Sequence, residues 1–185
     1  MDEINTPKEK KTARNGLSRK IAVLALLTGF SLITFLLENL LPPLFFPGAK
    51  LGLSNVFSLA ALIIYSPAEA FLVVAARTLL GAMFAGNFSA ILYSFTGGVV
   101  SMAVSSLLIY FLYPKISVMA VSVAAAITHN ITQCLVFVAL TGTPLLFGYM
   151  PYLALIGIPA GAVVGGVTLL IFKGLPQTQI EKFCK

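Results

Sequence analysis

From about position 21 to position 172 the chain alternates long, uninterrupted apolar runs with short breaks of proline, glycine and polar residues. The runs cover 21–41, 52–65, 68–84, 88–113, 117–140 and 149–172, and the breaks fall at Pro42-Pro43 with Pro47-Gly48, Ser66-Pro67, Gly86-Asn87, Pro114-Lys115 and Thr141-Gly142-Thr143-Pro144. About 20 helical residues cross the hydrocarbon core of a bilayer, so each run but the second spans it unaided. The second is short unless its flanks are drawn in. Continuous apolar runs, rather than alternation of apolar and polar residues, argue against a transmembrane barrel. The pattern predicts an all-α polytopic membrane protein, a six-transmembrane-helix bundle occupying 21–172, with an N-terminal arm (1–20) and a C-terminal tail (173–185). Ser66-Pro67-Ala68-Glu69 reads as a helix start, with Ser66 as N-cap, Pro67 in the first turn and Glu69 against the positive helix end.

Charge sets the orientation. Cations gather in short cytoplasmic loops, and with the N-terminus inside, the inner segments carry Lys8, Lys10, Lys11, Arg14, Arg19, Lys20, Lys115, Lys173, Lys182 and Lys185, whereas the outer loops carry Lys50 alone. An N-in, C-in topology follows. The same distribution accounts for the net charge of +6 without a nucleic-acid partner; the basic arm is expected near anionic lipid headgroups. As a signal peptide the arm fits poorly, because the apolar run behind it is too long and ends at Pro42 without an Ala-x-Ala cleavage site. It is read as leading into an uncleaved first helix.

Composition then excludes chemistry. Hydrophobic residues make up 58% and charged residues 10% of the 185 positions, leaving no room for a soluble domain. Cys134 lies mid-span and Cys184 in the tail, and neither they nor the single His has metal-ligand spacing. The one aspartate, Asp2, stands in the N-terminal arm. Ser-His-Asp catalysis is thereby excluded, and the chain has no phosphate-binding Gly-x-x-x-x-Gly-Lys-Ser/Thr loop. A carboxylate pair would need Glu38 and Glu69, expected at opposite membrane faces. No catalytic residue, cofactor or metal is indicated.

Polar groups at membrane depth are costly and mark candidate sites. Arg77 falls near the middle of the third span, with Gly81 and Ala85 following at intervals of four. Two readings stand for it: a structural arginine paired to a carbonyl or to Glu38, or an anion-binding group. In the fifth span His129 and Gln133 lie one turn apart, with Asn130 beside them. They are either interhelical hydrogen-bonding glue or a binding platform. Lys50 and Asn55 close the first outer connection, an apolar, proline-stiffened segment with two readings: a lid that places both above the cavity, or, more commonly for such a lysine, a side chain snorkelling at a helix end; 143–151 is similarly uncharged and could close the same face. Small residues recur every fourth position at Ala25 and Gly29, at Gly97, Ser101 and Ser105, and at Gly157, Gly161 and Gly165, a spacing that lets helix backbones approach. On the first helix this face is a candidate for docking a partner.

The segments Pro47-Gly48-Ala49-Lys50-Leu51-Gly52-Leu53-Ser54-Asn55, Arg77-Thr78-Leu79-Leu80-Gly81, Tyr93-Ser94-Phe95-Thr96-Gly97-Gly98, His129-Asn130-Ile131-Thr132-Gln133 and Tyr149-Met150-Pro151-Tyr152-Leu153 resemble, in order, the blocks of the bacterial membrane family called heptaprenyl diphosphate synthase component I, or Gx transporter family. That family is similar in size and layout to the substrate-binding S-components of energy-coupling-factor transporters. The resemblance implies a bacterial cell-membrane subunit with Lys50, Asn55, Arg77, Tyr93, His129, Asn130 and Gln133 at a substrate site. It also implies partners, a transmembrane scaffold protein and ATPase subunits, docking on the first helix. S-components dock through Ala-xxx-Ala; here the equivalent is Ala25-xxx-Gly29.

The leading expectation is therefore a substrate-binding subunit for uptake of a small anionic or amphipathic solute. A second is a non-catalytic accessory subunit of a polyprenyl diphosphate or quinone pathway enzyme. Prenyl elongation by this chain alone is excluded, since aspartate-rich motifs are needed to hold magnesium and with it the diphosphate. A lone facilitator or pump is the third.

Overall fold

The computed structural model describes residues 7–40, 52–86 and 89–173. Six α-helices follow in order: α1 (Pro7–Leu40), α2 (Asn55–Ile64), α3 (Pro67–Ala85), α4 (Ser89–Leu112), α5 (Val118–Thr141) and α6 (Met150–Lys173), with a 3-10 helix, Pro144–Tyr149, before α6. The protein is an all-α polytopic membrane bundle, and among the described residues five helices are long and apolar enough to cross a bilayer.

The exception is α2. Its 10 residues reach about 15 Å at ~1.5 Å per residue, half the hydrocarbon thickness. The expected span at 52–65 is thus a half-length helix, and 7 of its 10 residues are buried. It packs on α1, α3, α4 and α6, so protein rather than lipid surrounds it. Ser54 stands before its first residue in helical conformation and makes no side-chain cap bond, its hydroxyl accepting from Arg77 instead. Gly52, at φ 68, supplies the left-handed turn leading in.

The other boundaries follow local chemistry. Ser66 precedes α3 in extended conformation, Pro67 occupies its first turn, and the Ser66 hydroxyl donates to Glu69. The Ser117 hydroxyl caps α5 by accepting from the Ala120 N–H at 3.1 Å. Gly86 and Gly142, both at φ 63, end α3 and α5. At the N-terminus α1 begins at Pro7, within the stretch read as the basic arm, and its apolar portion is Gly16–Glu38.

Contacts fix the arrangement. Lys20 on α1 pairs with Glu69 at the start of α3 and lies over the Tyr65 ring at the end of α2. Farther along α1, Phe30 stacks on Phe57 and Ser31 donates to the Ser54 carbonyl at 2.9 Å. So α1 and α2 run antiparallel, with the N-terminus of α2 at mid-depth. The tightest seam joins α5 and α6. A Cβ at Gly161 would lie 2.5 Å from the Val123 Cα, and one at Gly157 or Gly165 would lie 3.0 Å from the Ile127 Cα or 2.8 Å from the Met119 Cα. This is the close backbone approach expected of the four-residue glycine spacing.

Candidate functional site

The site is built around the turn 52–55, which enters α2 halfway through the bundle. Three side chains from two helices, with one from the turn itself, hold it. From α1, Ser31 donates to the Ser54 carbonyl, and Glu38 Oε1 accepts from the Leu53 N–H at 2.6 Å. From α3, Arg77 Nη1 donates to Ser54 Oγ and Nη2 donates to Asn55 Oδ1 at 3.0 Å. The fourth contributor is Asn55 itself, through its own amide oxygen.

Arg77 is 2% exposed. Its hydrogen bonds go to a hydroxyl and an amide oxygen, and the Glu38 carboxylate, which accepts from the turn, lies within electrostatic reach. Arg77 thus holds side chains at the head of α2, with Glu38 as a nearby countercharge. Arg77 Nε has no protein acceptor. Glu38 and Glu69 stand toward opposite ends of the bundle, about 27 Å apart along α1 when Glu69 is placed at its partner Lys20 (~1.5 Å per residue).

On α5, His129, Asn130 and Gln133 are all buried. The helical repeat of about 100° per residue divides them. Gly97 of α4 faces Gln133 Cγ and the His129 ring, so that a Cβ there would stand 2.8 Å and 3.3 Å from them. Asn130 Nδ2 instead donates to the Leu153 carbonyl of α6 at 3.0 Å, the interhelical tie that membrane asparagines often make. Gln133 Nε2 is buried without a protein partner.

Between α2, α4, α5 and α6 lies a cavity of about 20 Å³, room for one water-sized molecule. Its polar rim includes Asn55, Ser101, Ser122, His129 and Asn130, and its apolar wall includes Leu59, Met102 and Val164. Asn55 is the link between cavity and arginine: it lines the one and accepts from the other. The expectation that Asn55 sits above the cavity is corrected, since the half-length of α2 brings it to mid-depth. Lys50 and the apolar connection before it lie outside the described residues. Tyr93 packs edge-on against Phe137, ring centroids 5.8 Å apart, and is not among the side chains lining the cavity. Ala25 is exposed, and a Cβ at Gly29 would meet nothing within 4 Å, so this face of α1 is uncovered by the described residues.

Sequence reasoning missed Ser54 and Ser31, and assigned Glu38 no part in the turn. Ser54 was accessible through the helix-start signature; Ser31, one small hydroxyl in an apolar run, carries no local signal.

The fold and these contacts define a multi-pass membrane protein with a buried polar cluster among its helices. A family model, heptaprenyl diphosphate synthase component I, matches residues 27–171, and the chain belongs to that family. No curated protein and no solved structure matches it.

Proposed function

We propose that this chain is the membrane-embedded, non-catalytic subunit of a polyprenyl diphosphate synthase assembly, and that its central polar cluster holds an anionic, amphipathic molecule. The observation that carries the reading is Arg77, a buried cation at mid-depth whose hydrogen-bond partners are neutral oxygens. Holding such a charge in a bundle costs at least a few kcal/mol, which an anionic ligand offsets. Asn55, His129 and Asn130, which line the neighbouring cavity, supply further donors and acceptors, and we include Gln133, Tyr93 and Lys50 in the proposed site. The family's description names one component of a synthase, so catalysis falls to another component. The lack of any aspartate-rich motif agrees with that division.

Gentle affinity purification of the full chain tests the assembly. A soluble prenyl synthase is expected in the complex. Recovery with a transmembrane scaffold and ATPases in its place would overturn this reading and favour a second one, solute capture for uptake. The feature favouring the second is the uncovered Ala25/Gly29 face of α1. Under it, Gly29→Leu would abolish recovery of the scaffold; under the first, that substitution leaves recovery of the synthase unchanged.

A further inference from the structure

We propose that the N-terminus of α2 and the side-on edge of the Arg77 guanidinium together form an intramembrane subsite for one anionic group, phosphoryl or carboxylate, on an apolar carrier. The inference rests on the reading of the cluster as a binding site and names the group it binds and the atoms that bind it.

Two positive ends meet here. Aligned peptide dipoles place about half a positive charge at a helix N-terminus, and α2 starts at mid-depth, in protein rather than in water. The full charge of Arg77 is hydrogen-bonded to the same turn, at Ser54 and Asn55. Glu38, on the Leu53 N–H of the same turn and within electrostatic reach of Arg77, offsets part of this positive charge, and an anion at the Arg77 edge offsets more.

The hydrogen bonds of Arg77 show where the anion goes. Nε and Nη2 form the edge of a guanidinium that takes two oxygens of a phosphoryl or carboxylate group at once. On that edge Nη2 is given to Asn55 Oδ1 at 3.0 Å, and Nε, in a side chain 2% exposed, has no protein acceptor. Asn55 thus fills half of a two-oxygen position. Its side chain also lines the cavity, so a ligand oxygen arriving there takes the place of Oδ1 and continues to Nε. A Cβ at Gly98 would stand 2.8 Å from Val74 Cγ1 and 3.6 Å from Nη2, so α4 packs close beside the guanidinium. The cavity wall, with Leu59, Met102 and Val164, offers nothing to offset the dehydration of a free inorganic ion, and at about 20 Å³ the cavity has to widen to take an apolar carrier.

Asn55 provides the decisive test, because its two substitutions act in opposite directions. In Asn55→Asp a resident carboxylate of nearly the same shape neutralises Arg77, so folding survives while an added anion is excluded. In Asn55→Ala the competitor is removed and anion binding holds or tightens. Binding to the full chain in phosphatidylcholine nanodiscs is measured with farnesyl diphosphate, farnesol and inorganic diphosphate, and again after adding phosphatidylglycerol to the discs. Farnesyl diphosphate should bind at least about tenfold tighter than farnesol or inorganic diphosphate, and Asn55→Asp should weaken it by at least about tenfold. Competition by phosphatidylglycerol would assign the same subsite to a lipid headgroup; no competition would assign it to the prenyl diphosphate. Equal binding of farnesol and farnesyl diphosphate in discs of neutral lipid, with no response to phosphatidylglycerol, overturns the subsite. So does Asn55→Asp that binds like the parent. Should Asn55→Asp not fold, Arg77→Lys, which keeps the charge but loses the two-donor edge, must show the weakening instead. Anion binding without recovery of a soluble synthase would retain the subsite and remove the assembly.

Discussion

Arg77 shows how one residue serves both fold and site. Its donors fix Ser54 and Asn55, and therefore the point at which α2 begins. Arg77→Met keeps the apolar volume and leaves two buried oxygens without their donor. The expected loss is about 1–3 kcal/mol of stability for each such group left unsatisfied, read as a lowered melting temperature in detergent. The exposed-side ion pair is the contrast. Lys20 is 39% exposed on its side chain, so Glu69→Gln should cost no more than about 1 kcal/mol, most of it already absent at high salt. A larger loss at Glu69 than at Arg77 would reverse the assignment of which contact holds the turn.

Among the elements, α5 and α6 make the clearest case for packing written in sequence. Gly161 meets backbone atoms of α5, the Val123 Cα at 2.5 Å and the Ser122 carbonyl at 2.8 Å, and backbone cannot rotate aside. Gly161→Ala should therefore push the helices apart and cost about 1–3 kcal/mol. Gly166→Ala, where a Cβ meets nothing within 4 Å, should be neutral or stabilising by up to about 1 kcal/mol through helix propensity. Denaturation of both variants side by side checks the difference. The glycine spacing, the proline and glycine boundaries and the five long helices were legible because each is a local or strictly periodic signal. What was not legible was α2 as a half-length element. An apolar run of its length reads alike as a short span or as a buried helix, and only the surrounding helices decide. The site divides along the same line. Arg77, His129, Asn130 and Gln133 stand out as polar groups in apolar runs, whereas the use of Glu38 and Ser31 depends on where the turn 52–55 comes to rest. Once α2 is short, Asn55 moves from the rim of the bundle to its centre.

At the scale of the whole molecule, the antiparallel pairing of α1 with α2 keeps the N-in, C-in order possible even though α2 covers only half the depth. That order is checked by labelling. In a Cys184→Ser background, with Cys134 buried, Thr143→Cys should react with an impermeant thiol reagent on intact cells, and Lys115→Cys only after permeabilisation. The reverse pattern would invert the molecule. The half-length of α2 also bears on how the chain reaches the membrane at all. Ten residues are too few to be recognised and released into lipid as an independent segment. The head of α2 moreover exposes peptide groups that hydrocarbon does not tolerate. Two of those groups are satisfied by Ser31 and Glu38, made earlier, and the side chains of Ser54 and Asn55 beside them are held by Arg77, made later. During synthesis α2 must therefore wait at the insertion machinery until α3 has emerged, and α1, α2 and α3 partition into the bilayer as one preassembled unit.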